Sequence, residues 1–190
     1  MSRQIFLIAR EFLAAGTELD RQTARFIETQ RELHSEVHTE LQSYGTVVKQ
    51  RTSGIFPRVN TPPFGMTRDG IPGETTLVEP ESHPTTLKAR ERRKEIPDFF
   101  RKLFSSIQTA DCVVIIRDGQ NDLRGAIAMY VHMLEIPMLA LQQEPRGMHL
   151  PGDPLYDLPN ITNIRFHDFS EAKNPIRRFM NEISVRYAAG

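Results

Sequence analysis

A strand–loop–helix–strand pattern between Asp111 and Leu141 restricts the folds open to this chain more than any other stretch. Cys112 to Ile116 is a continuous apolar run, of the kind that fills a strand covered on both faces in a parallel sheet. It opens into Asp118-Gly119-Gln120-Asn121-Asp122, an acidic loop with a glycine, and an apolar-rich helix follows to about Glu135. Pro137 stops that helix, and Met138 to Leu141 supply a second buried strand. Asp118 and Asp122 therefore stand just past the carboxyl end of a strand, the edge where open α/β sheets bind their ligands.

The rest of the chain extends the same alternation. Ile5 to Ala9 reads as a short apolar strand, and Thr17 with Asp20 three residues on reads as the start of a helix. Leu19, Thr23, Phe26, Gln30, Leu33, Val37 and Leu41 then recur every three or four residues, with Ile27 widening the stripe. Tyr44-Gly45 ends that helix, and Thr46 to Lys49 is the second strand. Arg51 to Pro84 holds six prolines and four glycines. It is too long for an ordinary connection and reads as a lid, hairpin or other insert. Thr85 to Ala110 has a helical pattern interrupted by Pro97, with a second helix expected from Asp98. Gln142 to Pro159 reads as a loop, Asn163 to Phe169 as a fifth strand, and Ser170 as the cap of a closing helix through Tyr187. The expectation is a single doubly wound α/β domain over residues 1–190. Its five-stranded parallel sheet has order 2-1-3-4-5, with helices on both faces. Its switch point lies between the first and third strands, where the loops after Ala9 and after Arg117 both open.

Composition excludes some functions. The 190 residues suffice for one domain with a proper core. Twenty-four basic residues balance 24 acidic ones, so no net charge draws the chain to nucleic acid or to a membrane surface. One cysteine, Cys112, rules out an internal disulfide framework and a cysteine zinc site. In its buried-strand setting it reads as an inert core thiol. The apolar start is cut off by Arg10-Glu11, too early for a signal peptide or a membrane span, and the expected location is cytoplasmic.

With these residues in place, the chain resembles the nucleoside 2-deoxyribosyltransferases and their nucleotide N-glycosidase relatives, flavodoxin-like enzymes acting on the base–sugar bond. Ile5-Phe-Leu-Ile-Ala9 stands where the family has its opening strand. Ile107 to Gly119 resembles its helix end, Ala-Asp strand and Asp-Gly loop. Asp122 followed by Gly125-Ala126 resembles the family's Asp-x-Gly-Thr-Ala, and Glu135-Ile136-Pro137 stands where it has a Gly-Lys-Pro turn. The resemblance implies that Asp118 and Asp122 contact the base and assist proton transfer. It also departs from the family. The nucleophilic glutamate belongs four residues after the motif glycine, and counting from Gly125 that position is Met129. Arg10-Glu11 replaces a Gly-Pro-like pair.

Glycosyl transfer needs one carboxylate against the anomeric carbon and another group to hold or protonate the base. Asp118 and Asp122 are the pair at the strand end. Glu11, leaving the neighbouring loop at the switch point, is the candidate nucleophile ahead of Glu135 at the far end of its helix. Ala9, Arg10, Gly119, Gln120, Asn121, Gly125 and Met129 are the expected substrate contacts, and Arg124 beside the helix start suits a phosphate. Asp122 also fits a plain helix cap.

His34 and His38 form an i,i+4 pair among glutamates; a solvated helix face is the expectation, and no metal or cofactor is called for. Lys88 to Lys102 carries seven basic and three acidic residues, and Glu18 to Glu40 carries six acidic and three basic. The two segments suit complementary surfaces in a homo-oligomer. Three functions are open at this point: an N-glycosidic-bond enzyme, a nucleotide-binding sensor lacking the nucleophile, and an interaction protein using its charged helices.

Overall fold

The computed structural model describes residues 3–9, 21–51, 101–117, 122–144 and 154–188. Five strands, β1 (Gln4–Ala9), β2 (Thr46–Arg51), β3 (Cys112–Arg117), β4 (Met138–Gln143) and β5 (Ile161–Phe166), form one sheet in order β2-β1-β3-β4-β5. Every pairing is parallel, with Ile5 opposite Cys112, Val113 opposite Met138 and Met138 opposite Ile161. Around the sheet lie α1 (Arg21–Gln42), α2 (residues 101–108), α3 (Asp122–Met133), α4 (Phe169–Ala188) and a 3-10 turn at Pro154–Tyr156. This is the expected doubly wound, flavodoxin-like order.

Strand alternation divides the core in two. Ile5, Leu7, Cys112, Val114 and Ile116 point to the face covered by α1 and α4. Phe6, Ile8, Val113 and Ile115 point to the face covered by α2, α3 and Tyr156 of the 3-10 turn. Because both faces are dry, β1 and β3 have no polar alternation, and their near-continuous apolar runs follow. Each fully buried Ile or Leu contributes about 1.5–3 kcal/mol of transfer free energy, so these two strands anchor the sheet.

Several boundaries differ from expectation. Gln142 and Gln143 belong to β4, not to the loop after it. The fifth strand begins at Ile161 and ends at Phe166, with the burial pattern of an edge strand. Helix α4 starts at Phe169, so Ser170 lies within its first turn and Asp168 holds the cap position, its carbonyl accepting from Glu171 N. Helix α3 ends at Met133, and Glu135 adopts φ 56°. Ile136 N donates to Val131 O and Glu135 N to His132 O, the paired bonds of a Schellman cap with Glu135 at its left-handed position. The Thr17 cap, most of the insert between Arg51 and Pro84, and the Pro97 boundary lie outside the described residues.

Candidate functional site

The chain leaves β1 toward β2 on one side and leaves β3 toward β4 on the other. That reversal places the switch point, the edge where sheets of this kind bind their ligands, at the carboxyl ends of β1 and β3. Ala9 ends β1, its side chain buried in the core beneath α1. Arg117 ends β3, and Asp122 is the first residue of α3. Glu11, Arg10, Asp118, Gly119, Gln120 and Asn121 lie outside the described residues. What the fold brings to this edge from the sequence candidates is therefore Ala9, the start of α3 at Asp122, and Arg124 and Gly125 in its first turn.

Arg124 is only 8% exposed. The heptad geometry of α3 turns it, with Ile127, Ala128 and Val131, toward the sheet. Its charge reaches across to α1, where His34 is held well below the ordinary histidine range, at about 4. Burial is the main cause, and the cations Lys49 and Arg124 add to it. His34 is 5% exposed, which corrects the solvated face expected for the His34–His38 pair. Helix α1 buries Gln30, Leu33, His34, Val37 and Leu41, a stripe one residue wider than the apolar residues alone mark out. Among the described residues no cluster of three or more His, Cys, Asp or Glu side chains could hold a metal ion.

The face covered by α3 carries a polar row absent from the sequence reading. Arg117, Gln142 and Arg165 are register partners across β3, β4 and β5. The Arg117 guanidinium lies 3.9 Å from the centroid of the Tyr156 ring, a cation–π contact. Arg165 Nη1 meets Glu144 Oε1 at 3.3 Å, and Glu144 is itself buried just after β4. Gln142 is 2% exposed. Its Oε1, and Oδ1 of Asn163 on β5, are buried with no hydrogen-bond partner among the described residues. On the opposite face Gln143 Nε2 donates to His167 O. The polarity of Gln142 to Glu144 reads as loop in one dimension. Only pairing with β5 makes these residues a strand end.

Helix α3 carries no carboxylate between Asp122 and Glu135. Met129 is 41% exposed and Met133 76%, so Met129 lies on the outward stripe of the helix with Ala126. Glu135 is about 20 Å along the helix from Asp122 at 1.5 Å per residue. Cys112 is fully buried, and its thiol is pushed up to about 12, first by burial and then by the adjacent Asp111 carboxylate; it is a core residue. No helix among the described residues is long and apolar enough to cross a membrane.

No protein-family model matches the chain, and no curated protein matches it. Among solved structures it is similar to a 2-deoxyribosyltransferase from the psychrotolerant bacterium Bacillus psychrosaccharolyticus. The identity is 16%, the match covers 90% of each chain, and the TM-score is 0.44. The fold assignment rests on strand order and register, not on this likeness.

Proposed function

We propose that the chain binds a nucleoside or nucleotide in the crevice between β1 and β3 and acts on the bond joining base to sugar. The observation that carries the reading is the switch point in order β2-β1-β3-β4-β5, with a helix start and the buried Arg124 at its edge. In this reading Asp118 and Asp122 hold the base and deliver a proton to it as the N-glycosidic bond breaks. Arg124 and the first turn of α3 receive a phosphate or a ribose oxygen. Gly119, Gln120 and Asn121 line the loop between them. The carboxylate facing the anomeric carbon comes from Glu11, and the sugar passes to water or to a second base. Self-association is part of the reading, with the acidic first helix of one copy against the basic Lys88–Lys102 stretch of another; sedimentation velocity tests it.

One observation favours a second reading. The helix that would carry the nucleophile has Met129 on its outward face and no carboxylate between Asp122 and Glu135. A module that binds the same ligands without transferring the sugar fits that helix. Incubation with nucleosides and nucleotides, monitored for free base and for thermal shift, separates the two. Base release that Glu11→Gln abolishes supports the enzyme. Stabilisation without turnover selects the binding module, and neither response rejects both.

A further inference from the structure

We infer that the outer face of α2 and α3 is a contact surface for a second copy of this chain, packed against it about a twofold axis. The inference does not depend on the nucleoside reading, and the surface differs from the charged pair in the self-association proposed above. The two sides of the sheet present unlike exteriors. On one side Glu28, Glu32 and Glu36 of α1 and Arg177, Arg178 and Glu182 of α4 are all exposed. On the other, residues 103–110 and 124–134 contain a single Asp, Glu, Lys or Arg, and that residue, Arg124, is buried. The two helices adjoin there. The Phe104 and Tyr130 rings are 4.4 Å apart at their centroids, and Gln108 Nε2 donates to the Tyr130 hydroxyl at 2.8 Å. Ala126, Met129 and Met133 fall within about 60° of one another around α3 and all three are exposed, Met133 by 76%. A helix that is apolar on its outer as well as its inner side is ordinarily covered, and surface methionines adapt readily to a partner.

Charge, shape and extent suit a copy of the same chain. A twofold contact sets a patch against itself, so any charge in it would meet its like across the axis. This face has none to meet, and the chain as a whole has a formal net charge of zero. Shape is self-complementary along α3. Two antiparallel copies of the helix, with the axis beside Met129 and Tyr130, set Ala126 of each against Met133 of the other. The smallest side chain of the stripe then receives the most exposed one. The 12 residues of α3 span about 18 Å, and a helix with its side chains is about 10 Å across. Two such helices side by side offer roughly 300 Å² in outline, the scale of a small reversible interface. The expected pair is a dimer with a dissociation constant in the micromolar range.

The test is sedimentation velocity of the full chain over about 1–200 μM, a range that brackets a micromolar dissociation constant. The parent should pass from monomer to dimer across it. Met133→Lys buries a cation in the contact and should raise the dissociation constant about tenfold or more. A cation suits the last turn of α3, so the dilute variant should melt within about 2 °C of the parent. A second measurement fixes the alignment. Ala126→Cys combined with Met133→Cys should give covalent dimers under mild oxidation, and either substitution alone should not. Within one copy the two Cα atoms are about 10.5 Å apart, beyond the reach of a disulfide, so the bond can form only between copies. Cys112 is fully buried and does not compete. A parent that stays monomeric at the highest concentration overturns the inference. A dimer unaffected by Met133→Lys also overturns it, because another surface, such as the charged segments, then holds the copies together. Single-cysteine variants that crosslink as readily as the double variant contradict the twofold alignment and overturn it too.

Discussion

Acid titration should reveal His34 as a buried neutral base. Its environment on α1 holds its pKa at about 4 against an ordinary value of 6.5, through burial first and the charges of Lys49 and Arg124 second. As pH falls through 6.5 the unfolded chain takes up a proton at this residue, and the folded chain does not until about pH 4. Between those values the unfolded state binds more protons, so stability falls with falling pH by up to about 1.4 kcal/mol per unit from this residue alone. Across the whole window the loss is on the order of 3 kcal/mol, a substantial share of the 5–15 kcal/mol typical of a domain. The contribution is fully present above about pH 6.5 and gone below about pH 4. Other groups titrate in the same range, so the informative quantity is a difference. Denaturant unfolding of the parent and of His34→Leu is measured at pH 7, 5.5 and 4.5. The variant keeps a side chain suited to a buried helix face and removes the titrating group, and its pH-independent cost cancels in the comparison between pH values. The parent should lose on the order of 2–3 kcal/mol more than the variant between pH 7 and 4.5. Parallel pH profiles would refute the reasoning, as would a His34 pKa near 6.5 measured by NMR.

Other consequences are local. Glu135 at φ 56° occupies a conformation costing a non-glycine residue roughly 1–2 kcal/mol, so Glu135→Gly should raise stability by about 0.5–1 kcal/mol after the entropy of glycine is counted; chemical denaturation reads it. Gly45→Ala should destabilise by about 1–3 kcal/mol. The added Cβ would stand 2.6 Å from Arg3 O, an oxygen already fixed by Thr46 N at 2.7 Å; a neutral result would mean this turn shifts freely. Cys112, fully buried and with its thiol pushed up to about 12, should resist thiol reagents in the native protein at pH 8 and react once unfolded.

The central strands were readable because burial on both faces leaves Cys112–Ile116 and Ile5–Ala9 apolar at every position. A periodicity argument needs nothing more. The edge strand was harder. Thr162 and Arg165 are exposed in β5, and that weaker pattern moved its expected start two residues late. Gln142 and His34 escaped for a different reason. Gln142 is buried at a position flanked in register by Arg117 and Arg165 across the sheet, and His34 is buried on the face of α1 that carries Leu33, Val37 and Leu41; neither is a property of nearby sequence. Glu135 is an instructive middle case. The resemblance put a glycine at its position, and the structure gives that position the left-handed conformation that glycine serves. Of the site itself, the sheet edge and the start of α3 were legible from the apolar run and the residues after it. Its Asp118 loop and Glu11 lie outside the described residues.

The most direct test of a nucleoside site at the β1–β3 edge is thermal melting of the full chain with a panel of nucleosides and nucleotides, repeated with Asp118→Ala and with Arg124→Ala. At one hundred times the dissociation constant a ligand adds about 2.7 kcal/mol, roughly 5–10 °C for a chain of this size. At least one member of the panel should produce a shift of that order, and both substitutions should reduce it. A panel that leaves the melting temperature unchanged, or a shift that survives both substitutions, would contradict the assignment of this edge as the ligand site.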